Sequence, residues 1–430
     1  MVRFTLSDIS KYLTLDVIDK AFKEKTGSKE SVQSVEITRA AAAGEGLLSA
    51  VYRLKVSSNN HKTSFVVKGL IRDSLLRRSL GVKTYFEREC FFFGHIFPIL
   101  KQVQESSGAK ERIQNNVPIC YSFYSDGSND YLLIEDLREN FCEPISSTPT
   151  LSERDAILKT LAHFHATSMA FRIRKPNEFE DLAKSLPEVY FTAQNRNWYA
   201  RYLQNAIDID VEALMEFENS SSKYNNKFMK IINDDVYKQL ENLVTTLGDH
   251  PVLNHGDAWC SNFMRSEDKG IAIDFQIVRC TSPAADLSYF LLMCNHLFHQ
   301  KEDFMVAVKI YYDSLVYYLE DMDIRAAEVF SWEDLNGEMK KFGKIGLLAS
   351  LTSIPLLASD RMDTLQSFEE NYKNYDKIPL DILWPLSPLK TREHKMLLIK
   401  WTPFLKKVVQ DRHITSYDIA EELGINQKSF

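Results

Sequence analysis

Asp257 and Asn262 stand five residues apart in His255-Gly256-Asp257-Ala258-Trp259-Cys260-Ser261-Asn262, and Asp274-Phe275-Gln276 begins twelve residues after Asn262. Phosphoryl transfer needs a carboxylate to orient or deprotonate the attacking hydroxyl. It also needs oxygen ligands that hold a divalent cation on the phosphates, and kinase catalytic loops place Asp and Asn at this separation for those two tasks. Phe263-Met264-Arg265 and Ile271-Ala272-Ile273 read as the arms of a short hairpin, which returns Asp274 to the side of Asn262. Asp257 is therefore the candidate base, and Asn262 and Asp274 are candidate ligands for Mg²⁺, a cation that prefers hard oxygens. A lone His-Gly-Asp is a weak signal, because Gly-Asp is common in turns. The reading rests on the offsets taken together, and His255 is assigned to bracing the loop. Asp286 lies just inside a helix that Ser282 can cap and Pro283 can open; it is read as structural, accepting backbone N–H groups of the loop.

The stretches VLNHGDAWCSNFM and IAIDFQIVRCTSPAADLSYFL resemble the signature of insect ecdysteroid-kinase-like proteins, a branch of the choline kinase and aminoglycoside phosphotransferase group. The likeness continues in FVVKGL around Lys68, FERECFF around Glu89, YLLIEDL around Glu135 and LAHFHATSMAFR around His165, and spans residues 30–360. It implies a protein-kinase-like fold, ATP as the phosphoryl donor and a small hydroxylated molecule as the acceptor.

Lys68 is the one formal charge in the apolar strand pattern of residues 63–71. A buried ammonium must find an anionic partner, since unpaired charge in an apolar setting is expensive. In kinases such a lysine contacts the ATP phosphates and pairs with a glutamate on the following helix. Glu89 shares a helical phase with Phe86 and Phe93, and Glu87 is the competing choice. Gly44-Glu45-Gly46-Leu47-Leu48-Ser49 is the candidate turn over the phosphates, because glycine lets backbone N–H groups approach an anion closely. The family pattern has Asn where this chain has Gly46, so Gly44, Gly46 and Ser49 carry that expectation without the Asn side chain. Glu135 to Leu137 is the expected hinge, with the backbone of Glu135 and Leu137 facing adenine.

These groups need two different scaffolds. From Ser31 to Leu137 the pattern is strand-rich, with alternation around Val51, Arg53 and Lys55 and one long helical stretch from Leu75 to Gln104. A polar connector follows Asn140, and helical periodicity then dominates, interrupted between Val252 and Val278. The expectation is an α+β, two-lobed protein-kinase-like fold. A small antiparallel-sheet nucleotide-binding lobe with one helix would occupy residues 1–140, and a larger, mainly helical catalytic and substrate-binding lobe residues 141–430. Glu218 to Asn226 reads as a polar loop, Ile378 to Thr391 as a Pro-containing connection and Ser416 to Leu423 as a helix.

The net charge of −7 supplies no global positive field, so no nucleic-acid or anionic-membrane partner is expected. Cys90, Cys120, Cys142, Cys260, Cys280 and Cys294 are scattered without C-x-x-C pairs, which points to buried thiols and a cytoplasmic location. No leader or membrane-spanning run is visible, and no obligate protein partner is evident. Gln276 replaces the glycine found in protein kinases, and no Ala-Pro-Glu segment follows it. A small acceptor is thus favoured over a protein one. The segments from Leu186 to Tyr202 and from Phe290 to Leu357 are candidate walls, through Tyr190, Phe191, Trp198, Tyr199, Tyr202, Phe298 and Tyr311, although most of these are expected to be ordinary core. Aromatic walls suit a lipophilic alcohol such as an ecdysteroid or a hydroxylated xenobiotic, with choline or ethanolamine as the alternative through cation–π contacts. A catalytically inactive nucleotide-binding scaffold is the other alternative, against which stands the presence of Lys68, Asp257, Asn262 and Asp274.

Overall fold

Buried and open positions alternate along Ala50–Ser57, so that strand turns one face inward; Lys62–Gly69, nearly all buried, can only be a central strand. In the computed structural model, which describes residues 4–40, 49–71, 74–217, 223–267, 269–298, 301–358, 377–386, 388, 389, 392 and 395, these are β2 and β3. With β1 (Ser34–Arg39), β4 (Cys120–Tyr124) and β5 (Tyr131–Glu135) they form a five-stranded antiparallel sheet in the order β1-β2-β3-β5-β4. Lys68 pairs with Val51 on one side and Leu132 on the other.

A short turn of helix, α1 (Leu6–Ile9), and α2 (Leu15–Thr26) cover one face of the sheet. Ile18, Ala21 and Phe22 bury there against Tyr52, Leu54, Phe65, Val67 and Leu133. The expected helical stretch occupies the other face in pieces. α3 (Ser74–Ser79) stops before Gly81, whose φ is +66°; α4 (Val82–Phe91) passes through a π-helical turn, Phe92–Ile96, into α5 (Phe97–Ser107). Phe86, Phe92, Ile96 and Leu100 of this run belong to the same apolar core as the helical part of the chain. Helix α4 is thereby packed on both the sheet and the helices.

The helical part is built around α6 (Leu151–Arg174), opened by a reciprocal Thr150–Glu153 capping box. Around it lie α7 (Pro176–Lys184), α8 (Arg196–Phe217), α9 (Lys223–Ile232), α10 (Val236–Val244), α11 (Ala284–Met293) and α12 (Lys301–Asp321). Then follow α13 (Ala326–Val329), α14 (Trp332–Phe342), α15 (Lys344–Ala358) and the single turn α16 (Leu380–Leu383). Two small sheets interrupt the helices: β6 (Glu143–Pro144), β8 (Phe263–Ser266) and β9 (Lys269–Ala272) in one, β7 (Val252–Asn254) and β10 (Arg279–Thr281) in the other. The hairpin expected after Asn262 is β8–β9, with Phe263 opposite Ala272.

One expectation is corrected. Lys223 to Asn226 is not loop but the first turn of α9, drawn into the helix because Met229, Ile231 and Ile232 further along pack on the core; residues 218–222 lie outside the described residues. The tail from Ser416 to Leu423 also lies outside them. Among the described residues no helix is long and apolar enough to cross a membrane. The six cysteines carry free thiols, all buried except the half-buried Cys120.

Candidate active site

The loop after β7 is fixed before it reaches Asp257. Asp286 on α11 accepts the His255 N–H at 2.6 Å and the Gly256 N–H at 2.9 Å, and His165 of α6 approaches the same carboxylate at 3.2 Å while its other ring nitrogen meets Tyr311 Oη at 2.7 Å. Burial alone raises the pKa of Asp286, but His165 and the Gly256 N–H outweigh it and hold the carboxyl below the usual range. Gly256 has φ +85°, and a Cβ there would lie 2.1 Å from the Ile277 carbonyl oxygen, so only glycine fits. His255 spans the loop, meeting the Ile273 carbonyl at 2.9 Å and accepting the Asp257 N–H at 3.3 Å. His255 and Asp286 thus brace the loop, as their sequence context suggested.

Asp257, Asn262 and Asp274 come together. Asn262 Nδ2 donates to Asp257 Oδ2 at 2.8 Å and to the Asp257 carbonyl at 3.0 Å, which leaves the Asn262 side-chain oxygen for another ligand. The Ile273 N–H donates to the Asn262 carbonyl at 2.9 Å, and this bond at the root of the β8–β9 hairpin delivers Asp274, whose φ of +69° turns the chain. Burial first, and the charge of Asp274 second, push the Asp257 carboxyl up to about 7. Phe275 anchors the segment by stacking on Phe92 of the π-helical turn, ring centroids 3.7 Å apart.

Lys68 Nζ bridges Glu89 Oε1 at 2.7 Å and Asp274 Oδ1 at 2.9 Å. Burial lowers the pKa of this ammonium, but the two carboxylates more than reverse that and keep it charged. Glu87, the competing choice, lies on the exposed side of α4 near Lys83. Ser49 immediately precedes Ala50, which pairs with Gly69, so Ser49 sits at the Lys68 end of the sheet; Gly44 and Gly46 lie outside the described residues. Glu135 and Leu137 are not part of the charged cluster. The Glu135 carboxylate accepts from Asn140 Nδ2 at 2.6 Å and from the Ile119 N–H at 3.2 Å, and the Leu137 carbonyl accepts the Cys142 N–H at 3.1 Å.

Beyond Asp257 opens a cavity of roughly 230 Å³. Tyr190, Phe191, Trp198, Tyr199 and Tyr202 line it, whereas Phe298 and Tyr311 are core. Thr352 and Ser353 fall within the candidate segment from Phe290 to Leu357, whereas sequence reasoning missed Tyr85, Trp259, Tyr289 and Trp384 in its walls. Asp257 and Gln276 are part of the same lining. Of the other charged groups in the lining, Asp286 is occupied as described and Arg279 is ion-paired to Glu188 at 2.8 Å.

The donor set fits a hard divalent cation. Among the described residues no group of three or more His, Cys, Asp or Glu is arranged so that it could hold a metal ion. A carboxylate at Asp274 and an amide oxygen at Asn262 are instead the partial set that suits a cation taking its remaining ligands from phosphates and water.

The model of the ecdysteroid kinase-like family matches residues 43–324 of this chain. No curated protein matches. Among solved structures, an ethanolamine kinase of Plasmodium vivax is 14% identical over 88% of this chain and 82% of its own, with a TM-score of 0.40. A choline kinase from Cryptosporidium parvum is 12% identical over 92% of both chains, with a TM-score of 0.42. A choline kinase from Streptococcus pneumoniae is 15% identical over 80% of this chain and 94% of its own, with a TM-score of 0.36.

Proposed function

This chain belongs to the ecdysteroid kinase-like family, and from that premise we propose that it phosphorylates a hydroxyl of a small lipophilic acceptor, an ecdysteroid or a hydroxylated xenobiotic. As a member of that family it is an ATP-dependent phosphotransferase with an alcohol group as acceptor. In the proposed arrangement Asp257 is the base, Asn262 and Asp274 hold Mg²⁺, and Lys68, fixed by Glu89, contacts the ATP phosphates. Adenine faces the backbone of Glu135 and Leu137, and Gly44, Gly46 and Ser49 cover the phosphates. The bound cation supplies charge neutralisation on the triphosphate.

The chain's own groups do the rest. Asn262 Nδ2 holds the Asp257 carboxylate in one orientation through Oδ2, leaving Oδ1 to accept a hydrogen bond from the acceptor hydroxyl. The acceptor oxygen forms its bond to the γ-phosphorus as the bond from that phosphorus to the β–γ bridging oxygen breaks. The hydroxyl proton passes to Asp257, whose raised pKa suits it to receive one near neutrality. Lys68 faces the negative charge that grows on the leaving diphosphate.

One observation carries this reading: Asp257 stands on the border between an aromatic cavity and the Lys68–Asp274 pair. The same lining supports a neutral acceptor over choline. A quaternary ammonium favours open aromatic faces and nearby negative charge, but Asp286 is engaged by His165, His255 and Gly256, Arg279 is neutralised by Glu188, and the Asp257 carboxyl, pushed up to about 7, is held by Asn262. The test is incubation of the pure chain with ATP, Mg²⁺ and a panel of ecdysteroids, other hydroxylated lipophiles, choline and ethanolamine. Phosphate addition is read by mass spectrometry, with Asp274→Ala as control. Modification of a lipophile is expected; modification of choline alone overturns the acceptor assignment.

A further inference from the structure

The segment between α7 and α8 has no regular secondary structure, yet it carries Tyr190 and Phe191 into the cavity wall. Its backbone polar groups must therefore be satisfied by side chains. Glu188 does this with one oxygen: Oε1 accepts the Tyr190 N–H at 2.7 Å and the Phe191 N–H at 3.1 Å. Its other oxygen, Oε2, receives Arg279 Nη1 at 2.8 Å, the two side chains being 5% and 8% exposed. Arg279 Nη2 then donates to the carbonyl of Gly256, the residue before Asp257, at 3.2 Å. A second strut runs beside it, since Arg88 of α4 donates to the Pro187 carbonyl at 2.8 Å and the Val278 carbonyl at 2.9 Å.

We propose that Glu188 and Arg279 are a positioning pair that sets the aromatic wall in register with Asp257, and so selects which hydroxyl of a polyhydroxylated acceptor meets the base; this rests on the acceptor reading above. A buried ion pair is a poor source of stability, because desolvation offsets most of the attraction. What this pair provides is direction. The guanidinium fork fixes two carbonyl- or carboxylate-bearing partners in one plane, and Gly256, pressed on the Ile277 carbonyl, has no room to absorb a shift. A displacement of the wall is therefore passed to the acceptor's distance from Asp257, and small misplacements of reacting groups cost rate heavily.

The experiment uses the full chain, Mg²⁺, ATP and ecdysone as the polyhydroxylated probe, comparing wild type with Glu188→Gln and Arg279→Lys. The first removes the charge and keeps the shape; the second keeps the charge and loses the fork, and serves if the first does not fold. Expected are a rise of about tenfold in the KM for ecdysone, a changed ratio of phosphorylated regioisomers and a KM for ATP within about twofold of wild type. A role confined to holding the fold would lower the active fraction and leave both the isomer ratio and the KM values alone, and that result, or a parallel rise in both KM values, overturns the proposal. If the wild type phosphorylates choline but no lipophile, the acceptor reading fails separately. The pair is then judged by hydrogen exchange without ligand: faster exchange in both 189–192 and 255–258 in Glu188→Gln supports it, and a change confined to 189–192 overturns it.

Discussion

The two sides of the site that meet at Asp257 are held by different means. On the proposed phosphate side, Lys68 from β3, Glu89 from α4 and Asp274 beyond β9 are joined by direct ion pairs, the last between residues 206 apart in sequence. On the proposed acceptor side one buried ion pair, Glu188–Arg279, backs a wall that is otherwise a mesh of rings, Tyr190 on Tyr199 at 4.9 Å and Trp198 on Tyr199 at 5.9 Å between centroids, with hydroxyls such as Tyr289 on Ser353 at 2.9 Å tucked among them. Desolvated charge tolerates no missing partner, so each group on the first side is individually decisive. Ring packing spreads its energy over many contacts, so the second side can be altered one residue at a time. Phe275 joins the two styles: it follows Asp274 directly, and its stack on Phe92 seats a charged residue's backbone in the apolar core.

The largest expected effect is at the border. Asp257→Asn should lower phosphoryl transfer by roughly two to four orders of magnitude while the thermal shift produced by ATP and Mg²⁺ persists; turnover at the wild-type rate would remove Asp257 from its role. Next comes Asp286→Ala, which strands the N–H groups of His255 and Gly256. It should cost about 3 kcal/mol or more, read as a lower urea midpoint, and an unchanged midpoint would show that the loop is braced elsewhere. Lys68→Met should reduce turnover by on the order of 100-fold and weaken the ATP-induced thermal shift. If instead only the KM for the acceptor moved, the division between the two sides would be misdrawn. Smallest is Tyr199→Phe, which removes a hydroxyl that meets those of Tyr190 and Thr352. It should change the acceptor KM by roughly two- to tenfold and leave the ATP KM alone, and a loss as large as that of Lys68→Met would erase the contrast.

What could be read from the chain follows the same division. Asp257, Asn262 and Asp274 were legible because a hairpin converts short sequence offsets into proximity, and the structure pairs Phe263 with Ala272 as that requires. Glu89 could be separated from Glu87 by helical phase alone, and the two do point to opposite sides of α4. The aromatic wall was only partly legible. Composition marks Tyr190 and Trp198 as apolar but says nothing of which face of the core they line, and Phe298 and Tyr311 carried the same signal and ended in the interior. Arg279 and Glu188 meet across 91 residues with no periodic pattern linking them, and the π-helical turn at Phe92–Ile96 leaves no mark that distinguishes it from ordinary helix.

The Gly346 N–H on α15 donates to Ser288 Oγ at 3.2 Å, and a Cβ there would lie 2.3 Å from the Ser288 carbonyl carbon of α11. The two helices thus approach so closely at this point that a Cβ at 346 would collide with the α11 backbone. This crossing acts as a fixed pivot under the cavity: any side chain at 346 would lever Thr352 and Ser353 away from the space they border. Under the proposed function, what the cavity accepts would then be set by residues farther along α15 and in the segment that carries Tyr190, over a floor whose place the Gly346 contact fixes.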